Sequence, residues 1–232
     1  MILAMDTSTY VMGVALGNMD AVKAEWTTYE KKNHSLRLLP GIDHVMKSIN
    51  SDPSELKGIA VTSGPGSYTG VRIGVATAKT MASTLDLPLY DISTLEALAC
   101  NRRFANGFIC PFIDARRGQV YAAVYESNEG ELHTVYKEKL WLMDDLLAVL
   151  AEASTSVHFL SLDIDFHREN IQQVLGSTAT FADPVDRRVK PGEILRLAEK
   201  IEPVANIHAF SPRYLQLAEA EKNWRKAQGY HE

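Results

Sequence analysis

The chain begins with the stretch Met1-Ile-Leu-Ala-Met-Asp6-Thr-Ser-Thr9, an apolar strand that ends in an aspartate followed by three hydroxyl residues. The same pattern returns in Phe108-Ile-Cys-Pro-Phe-Ile-Asp114, where the aspartate lies 108 residues further along the sequence. In both places a second apolar strand begins five residues after the aspartate, at Val11 and at Gln119. A repeat with so long a period predicts two copies of one folding unit.

The order of the predicted elements extends this repeat. In the first copy, apolar periodicity and turn residues predict three strands, a helix and a fourth strand, at residues 2–5, 11–16, 22–28, 35–49 and 58–62. The second copy has the same order at residues 108–114, 119–125, 132–140, 142–152 and 157–162. Further helices are expected at residues 71–85, 93–103, 167–175 and 192–200. We therefore expect an α/β fold of two lobes, residues 1–105 and 106–232, the second ending in a solvated tail from residue 218.

Composition narrows the class of protein. Hydrophobic residues make up 46% of the chain and charged residues 23%, which is typical of a globular protein. The net charge of -5 argues against a protein that binds nucleic acid unaided, since such proteins are usually basic. Cys100 and Cys110 have no zinc or redox spacing and are predicted to be free, buried thiols. Without a signal or membrane segment, the expected compartment is the cytoplasm.

The segment Gly64-Pro-Gly-Ser-Tyr-Thr-Gly-Val-Arg-Ile-Gly74 joins a predicted strand to a predicted helix. It is not a P-loop, because no lysine precedes its hydroxyl residues, and its glycine spacing misses G-x-G-x-x-G by one. Three interpretations remain open. The segment is a tight turn with Ser67 or Thr69 as helix cap, an anion cradle assisted by Arg72, or a rigid platform for a partner protein.

The helix after this segment carries a stripe of small residues, Gly74, Ala78 and Ala82, at intervals of four. Such a stripe either lets the helix lie close to its own sheet or receives another protein. Because the helix is apolar on more than one face, we expect a surface for self-association or for a partner, and an arginine at Gly74 or Ala78 should then block binding but not folding. The predicted interface residues are Leu36, Leu39, Asp43, Met46, Arg72, Gly74, Ala78, Met81 and Ala82.

Two strand ends carry candidate anion contacts. Carboxylates such as Asp6 and Asp114 at strand ends serve as general bases or hold a hydrated metal near phosphates. The turn Asp114-Ala-Arg-Arg-Gly118 is the better anion site because it holds two guanidiniums, although an ordinary hairpin remains an alternative. His34 has Leu38 instead of histidine four residues later, so no metal ligand is predicted, and neither is a catalytic residue. The candidate anion or nucleotide contacts are Asp6, Thr7, Ser8, Arg116 and Arg117.

Five stretches together resemble the TsaB family, namely Asp6–Thr9, His34–Pro40, Gly64–Gly74, Asp114–Tyr121 and Pro212–Leu215. Members of that family are dimerisation subunits of the bacterial complex that makes threonylcarbamoyladenosine in tRNA. The resemblance implies the actin, hexokinase and acetate kinase type of fold, with two lobes built on βββαβα units. It also implies a catalytically silent paralogue of the threonylcarbamoyltransferase subunit, whose metal site uses a histidine pair that this chain lacks.

The resemblance further implies the partners. They are the catalytic TsaD-type paralogue, a small TsaE-type P-loop ATPase and, when the chain is alone, a second copy of itself, with tRNA contacted indirectly and no membrane involved. ATP is used by the complex, and weak binding of nucleotide to this chain stays open. Two alternatives remain. The chain is a nucleotide-binding regulator that uses Arg116, Arg117 and the Thr7–Thr9 turn, or an independent peptidase-like enzyme, for which no Ser-His-Asp or Cys-His arrangement is found.

Overall fold

A computed structural model describes residues 1–31 and 33–216 of the chain. Within them lie two five-stranded mixed sheets. The first has the strand order β3-β2-β1-β4-β5, formed by β1 (Ile2–Asp6), β2 (Met12–Gly17), β3 (Val22–Thr28), β4 (Gly58–Gly64) and β5 (Leu89–Ser93). The second has the order β10-β9-β6-β7-β8, formed by β6 (Phe108–Arg116), β7 (Gln119–Asn128), β8 (Glu131–Leu142), β9 (Val157–Leu160) and β10 (Ala179–Phe181).

Six α-helices cover the sheets in the described part of the chain. They are α1 (His34–Ser48), α2 (Tyr68–Leu85), α3 (Thr94–Ala99), α4 (Met143–Glu152), α5 (Ile164–Leu175) and α6 (Pro191–Ala198). The predicted helix at 93–103 is shorter than expected, because it tightens into a 3₁₀ turn at Cys100–Arg102. Helix α2 begins three residues earlier than predicted, since the Ser67 hydroxyl caps it by accepting a hydrogen bond from the amide of Gly70 at 3.3 Å.

The predicted duplication is confirmed by the strand pairing. In each sheet three consecutive strands pair antiparallel, and the first of them pairs parallel with the strand that follows the helix. Each copy then adds a further parallel strand through α2 or α5, which gives the two-lobed actin and hexokinase type of α/β fold. These two strands, β5 and β10, were not predicted, because β5 alternates weakly and β10 has only three residues.

Helices cover both faces of the first sheet, which explains why β1, β2 and β4 are buried along their whole length. Helices α1 and α2 lie on one face, and α3 and α6 lie on the other. Helix α6 packs against β1 and β2 although it follows the second sheet in the chain. The boundary near residue 105 thus separates the two sheets, but the chain returns to the first lobe afterwards, and the domain limits stay a prediction.

After α6 the chain forms an irregular strap, residues 199–216, that crosses the first lobe. The amide of Val204 donates to the carbonyl of Leu89 at 2.7 Å, and Lys79 Nζ donates to the carbonyls of His208 and Phe210 at 2.9 and 2.7 Å. The predicted tail from residue 218 lies outside the described residues. Across the described helices, none is long and apolar enough to cross a membrane.

Candidate partner surface and interlobe cleft

The inner face of α2 packs directly on the first sheet. Ala78 and Ala82 are fully buried, and a Cβ atom at Gly74 would overlap the hydroxyl of Thr7. The stripe of small residues is therefore explained by the close approach of α2 to its own sheet. This corrects the prediction that Gly74, Ala78 and Ala82 lie in a partner surface. An arginine at Gly74 or Ala78 would have to enter a filled core, so the expectation of a folded monomer is wrong as well.

The outer faces of α1 and α2 do contain several of the other predicted residues. Leu36 and Leu39 are 71% and 58% exposed, and they lie three residues apart on one side of α1. Asp43 on the same helix is exposed and pairs with Lys47 at 2.8 Å. Met46 lies on the inner side of α1 and is buried, which corrects its assignment to the partner surface.

Helix α2, which is described over its whole length, contributes an outer face with little charge. Its exposed residues after the first turn are Arg72, Ala76, Thr80, Ser83 and Thr84, with Met81 half-buried at the edge. Helix faces with little charge beside exposed leucines are typical of surfaces that another protein covers. We call the exposed side of the two helices, with Leu36, Leu39, Asp43, Arg72 and Met81, the α1–α2 outer surface.

A shallow pocket of about 290 Å³ adjoins this surface between α1 and β3. Gly41 lets α1 approach the indole of Trp26, and the Arg37 guanidinium lies 5.8 Å from the centre of the same ring. His44 meets Trp26 edge-on at 6.5 Å. Sequence patterns did not single out Trp26 or His44, since one is on a strand and the other on a helix and only the fold brings them together.

The Thr7–Ser8 turn is filled by the glycine-rich segment. The Thr7 hydroxyl donates to the carbonyl of Gly70 at 2.7 Å, and the amide of Ser67 donates to the carbonyl of Ser8 at 2.7 Å. A Cβ atom at Gly70 would overlap the carbonyl oxygen of Thr7. Of the interpretations of this segment, the tight turn with Ser67 as helix cap therefore accounts for its glycines.

Asp6 organises this turn from inside the lobe. One of its carboxylate oxygens accepts from the Ser8 amide at 3.0 Å, the Ser8 hydroxyl at 2.6 Å and the Thr62 hydroxyl at 2.6 Å. Burial raises the pKa of Asp6, and the hydrogen bonds from Ser8 and Thr62 oppose that rise. Because Asp6, Thr7 and Ser8 are buried in the lobe, the structure corrects the prediction that their side chains contact an anion.

Substitutions of Asp6 distinguish this structural role from a catalytic one. Asp6→Asn keeps an acceptor oxygen, so we expect its free energy of unfolding to lie within about 1 kcal/mol of the wild-type value. Asp6→Ala leaves the three buried donors without an acceptor, so we expect it to lower the free energy of unfolding by about 2 kcal/mol. Urea unfolding measures both values, with the exposed Asp20→Ala as control. Equal destabilisation by both substitutions would mean that the charge itself is required.

The equivalent aspartate of the second lobe has a different partner. His167 Nε2 donates to Asp114 Oδ1 at 2.8 Å, and the amide of Asp114 donates to Asp163 Oδ2 at 3.1 Å. Burial raises the pKa of Asp163. The buried His167 ring also packs edge-on against Phe112 at 5.6 Å. Sequence reasoning missed His167 and Asp163, because 53 and 49 residues separate them from Asp114 in the chain.

The hairpin between β6 and β7 exposes Arg116 and Arg117, both in the left-handed backbone region with φ of 68° and 55°. The amide of Arg116 donates to Asp114 Oδ2 at 3.1 Å, so Asp114 shapes the turn that presents the two arginines. Burial and then the charge of Asp163 raise the pKa of Tyr10, which puts the β1–β2 turn near the second lobe across the interlobe cleft. Among the described residues, no three His, Cys, Asp or Glu side chains converge as a metal site.

Both cysteines are free and buried, as predicted. Burial raises the pKa of Cys100 to about 12, and Arg196 Nη2 donates to its sulfur at 2.9 Å. Burial likewise raises the pKa of Cys110. Neither thiol is ionised near neutral pH, so neither has the properties of a nucleophile.

Arg213, in the Pro212–Leu215 stretch of the strap, joins the two lobes. Its Nη2 pairs with Asp91 Oδ2 of the first lobe at 3.0 Å, and its Nη1 pairs with Glu138 Oε1 of the second at 2.6 Å. The Ser93 hydroxyl completes the contact by donating to Glu138 at 2.5 Å. Burial alone would lower the pKa of Arg213, but the hydrogen bond to Glu138 and the charge of Asp91 raise it. We call this group, Asp91, Ser93, Glu138 and Arg213, the cross-lobe clamp.

Removing the guanidinium should loosen the contact between the lobes. Since the ion pairs of Arg213 are about one third exposed, we expect Arg213→Ala to cost about 1–2 kcal/mol of unfolding free energy, and Arg213→Lys to cost less. The loss should shrink at high salt, which urea unfolding at two ionic strengths measures. A salt-independent loss would show that packing of the side chain matters more than its charge.

A family model described as "TsaD: tRNA N6-adenosine threonylcarbamoyltransferase" matches residues 27–224. A Bacillus subtilis protein described as tRNA threonylcarbamoyladenosine biosynthesis protein TsaB is 43% identical over 227 residues, which cover 98% of this chain and 99% of the relative. The solved structure of YeaZ from Pseudomonas aeruginosa is similar with a TM-score of 0.78 and 26% identity, over 92% of this chain and 99% of that chain. A further solved structure is similar in fold alone, with a TM-score of 0.51 and 9% identity over 86% of this chain and 97% of that chain. It is component A of the (R)-2-hydroxyglutaryl-CoA dehydratase of Acidaminococcus fermentans.

Proposed function

The chain belongs to the TsaB family of tRNA threonylcarbamoyladenosine biosynthesis proteins, and from this we propose that it is a non-catalytic scaffold for the transferase of that pathway. In this role it binds and supports the catalytic TsaD-type subunit while that subunit forms threonylcarbamoyladenosine next to the tRNA anticodon. The observation that carries the proposal is the α1–α2 outer surface, where Leu36 and Leu39 are exposed beside a helix face with little charge. Burying the exposed parts of both leucines would contribute about 2–4 kcal/mol to a complex.

The similarity to the transferase model supports a paralogous partner. Two chains that share a fold can meet through the same surface of each, in the way that identical subunits form a two-fold dimer. The α1–α2 outer surface therefore suits both a TsaD-type partner and, when that partner is absent, a second copy of this chain. A TsaE-type P-loop ATPase joins the assembly, tRNA is contacted through the transferase, and the cytoplasm is the compartment that this role favours.

The state of the acidic side chains supports a non-catalytic role. Asp6 is buried with three donors on one oxygen, and Asp114 is paired with His167 and with the amide of Arg116. These carboxylates hold two turns in place, so their observed contacts serve the fold of the protein itself. The peptidase-like alternative would need one of them free to activate a water molecule.

Reconstitution of the tRNA modification tests the proposal directly. Purified components are combined with each one omitted in turn, and threonylcarbamoyladenosine is measured by mass spectrometry of digested tRNA. We expect no product from this chain alone and a strong loss of product when it is omitted. Full activity of the transferase in its absence would overturn the scaffold role, and product from this chain alone would overturn the non-catalytic assignment.

A nucleotide-binding regulator is the second candidate, and the exposed Arg116–Arg117 hairpin at the cleft favours it. Guanidiniums at a turn are suited to binding phosphate groups. Isothermal titration of the purified chain with ATP and ADP tests this function, with the double substitution Arg116→Ala and Arg117→Ala as the matched variant. Micromolar binding that the double variant loses would support the regulator, and no measurable binding would remove it.

A further inference from the structure

A second cavity, of about 330 Å³, lies next to the cross-lobe clamp. Its walls come from the start of α3, from β7 and β8 of the second lobe and from the strap. The lining residues are Ser93, Glu96, Tyr125, Thr134, Lys137, Glu138, Arg213 and Leu215. This volume is within the range of small-molecule sites, which occur preferentially between domains. No residue of α1 or α2 lines it, so the cavity is separate from the α1–α2 outer surface.

The two carboxylates of this cavity differ in their partners. Glu138 accepts hydrogen bonds from Arg213 at 2.6 Å and from Ser93 at 2.5 Å. Glu96 is half-buried, and in the part of the chain that the structure describes no donor reaches its carboxylate. Burial and then the nearby charge of Glu138 raise the pKa of Glu96, and the charges of Arg213 and Arg196 oppose that rise without donating a hydrogen bond to the carboxylate.

The rest of the lining is polar and fixed. Ser93 and Tyr125 are each only 6% exposed, and both line the cavity with a side chain that bears a hydroxyl group. Thr134 and Lys137, both exposed, add a hydroxyl and an ammonium group from β8. The cavity thus combines hydroxyl groups, a cation at one side, and a carboxylate that accepts no hydrogen bond from the described residues.

We propose that this cavity binds the primary ammonium group of a small polar molecule, with Glu96 as its counter-ion. An ammonium group has three donors and no acceptor, so it pairs well with a carboxylate and neighbouring hydroxyl oxygens. An α-amino acid and a polyamine share this chemistry. They differ in how they interact with Lys137. This ammonium group attracts the carboxylate of an amino acid, but it repels a second ammonium group of a polyamine.

The test uses the full-length chain, labelled with ¹⁵N and titrated with L-serine, spermidine and sodium acetate at constant pH and ionic strength. We expect saturable amide shifts around residues 93–96 and 134–138 with L-serine or spermidine, and none with acetate. Glu96→Gln should weaken the binding at least tenfold, while Glu126→Gln, an exposed glutamate of β7 outside the cavity lining, should leave it unchanged. Lys137→Gln should weaken the binding of L-serine but not the binding of spermidine, and this difference identifies the class of ligand.

Thermal unfolding of each variant separates binding from folding. If Glu96→Gln fails to fold, Thr134→Val at an exposed strand position replaces it, with several-fold weaker binding as the expected result. The proposal is overturned if neither L-serine nor spermidine shifts these amides, if acetate alone shifts them, or if folded Glu96→Gln binds as wild type does. These outcomes do not depend on the transferase, so they are independent of the scaffold function.

Discussion

A chain in which Leu36 and Leu39 are both replaced by aspartate should fold like wild type and yet fail to co-purify with the TsaD-type transferase. Both side chains are mostly exposed in the monomer, so the substitutions cost little there. In the complex they would remove about 2–4 kcal/mol of apolar burial and, in addition, bury two carboxylates against the partner, which costs several kcal/mol more. We therefore expect affinity to fall by at least about 10³-fold, measured by calorimetry with the transferase.

A matched control uses exposed apolar residues of the second lobe. Val174 and Val185 are 44% and 63% exposed, and their replacement by aspartate should leave binding at the wild-type level. Sedimentation provides a second readout, because we expect wild type to self-associate through this surface and the chain with Leu36→Asp and Leu39→Asp to stay monomeric. Wild-type affinity of the leucine variant would show that the α1–α2 outer surface is not the interface.

Alanine at Gly70 should destabilise the fold strongly, although alanine at a helix position normally stabilises by about 1 kcal/mol. The added methyl group would overlap the backbone carbonyl of Thr7. Thr7 is fully buried, and its hydroxyl donates a hydrogen bond to the carbonyl of Gly70, so the two residues are held close together. We expect a loss of about 3 kcal/mol, at the upper end for overpacking, and a fall in Tm of roughly 10 °C. Urea and thermal unfolding measure both quantities.

The neighbouring residue supplies the control for this substitution. Thr69 is exposed in the same turn of α2, so Thr69→Ala should change the unfolding free energy by less than about 0.5 kcal/mol. A large loss at Gly70 beside a small change at Thr69 is the expected result, whereas helix propensity alone predicts a gain in stability at both positions. A stabilised Gly70→Ala chain would contradict the close packing of α2 on the Thr7–Ser8 turn.

Much of the fold was predictable because its signals are local. The apolar runs that end at Asp6 and Asp114, and the equal spacing to the next strand, identify the duplication without any knowledge of contacts. The strands β5 and β10 escaped prediction because five and three residues carry too little periodicity. Helix starts were placed within a few residues, since caps such as Ser67 are visible in the sequence but their hydrogen bonds are not.

The site was less predictable, because its contacts join distant parts of the chain. A stripe such as Gly74, Ala78 and Ala82 looks the same whether it meets the helix's own sheet or another protein, and only the position of Thr7 beneath Gly74 decides between them. The ion pairs of Arg213 span 122 and 75 residues, to Asp91 and Glu138. No spacing in the sequence indicates such pairs. Helical periodicity likewise places Leu36 on the same apolar stripe as Ile42 and Val45, and only the structure shows that Leu36 is exposed while the other two are buried.

The strap has a mechanical consequence for a two-lobed protein. A hinge motion that changes the angle between the sheets must separate the Arg213 guanidinium from either Asp91 or Glu138. The same strap is fastened to α2 by Lys79 and by the stacking of Tyr214 on Tyr68 at 5.3 Å. The strap thus contacts α2, Asp91 and Glu138 at the same time, and so it connects the helix that carries half of the α1–α2 outer surface to the ion pairs between the two lobes.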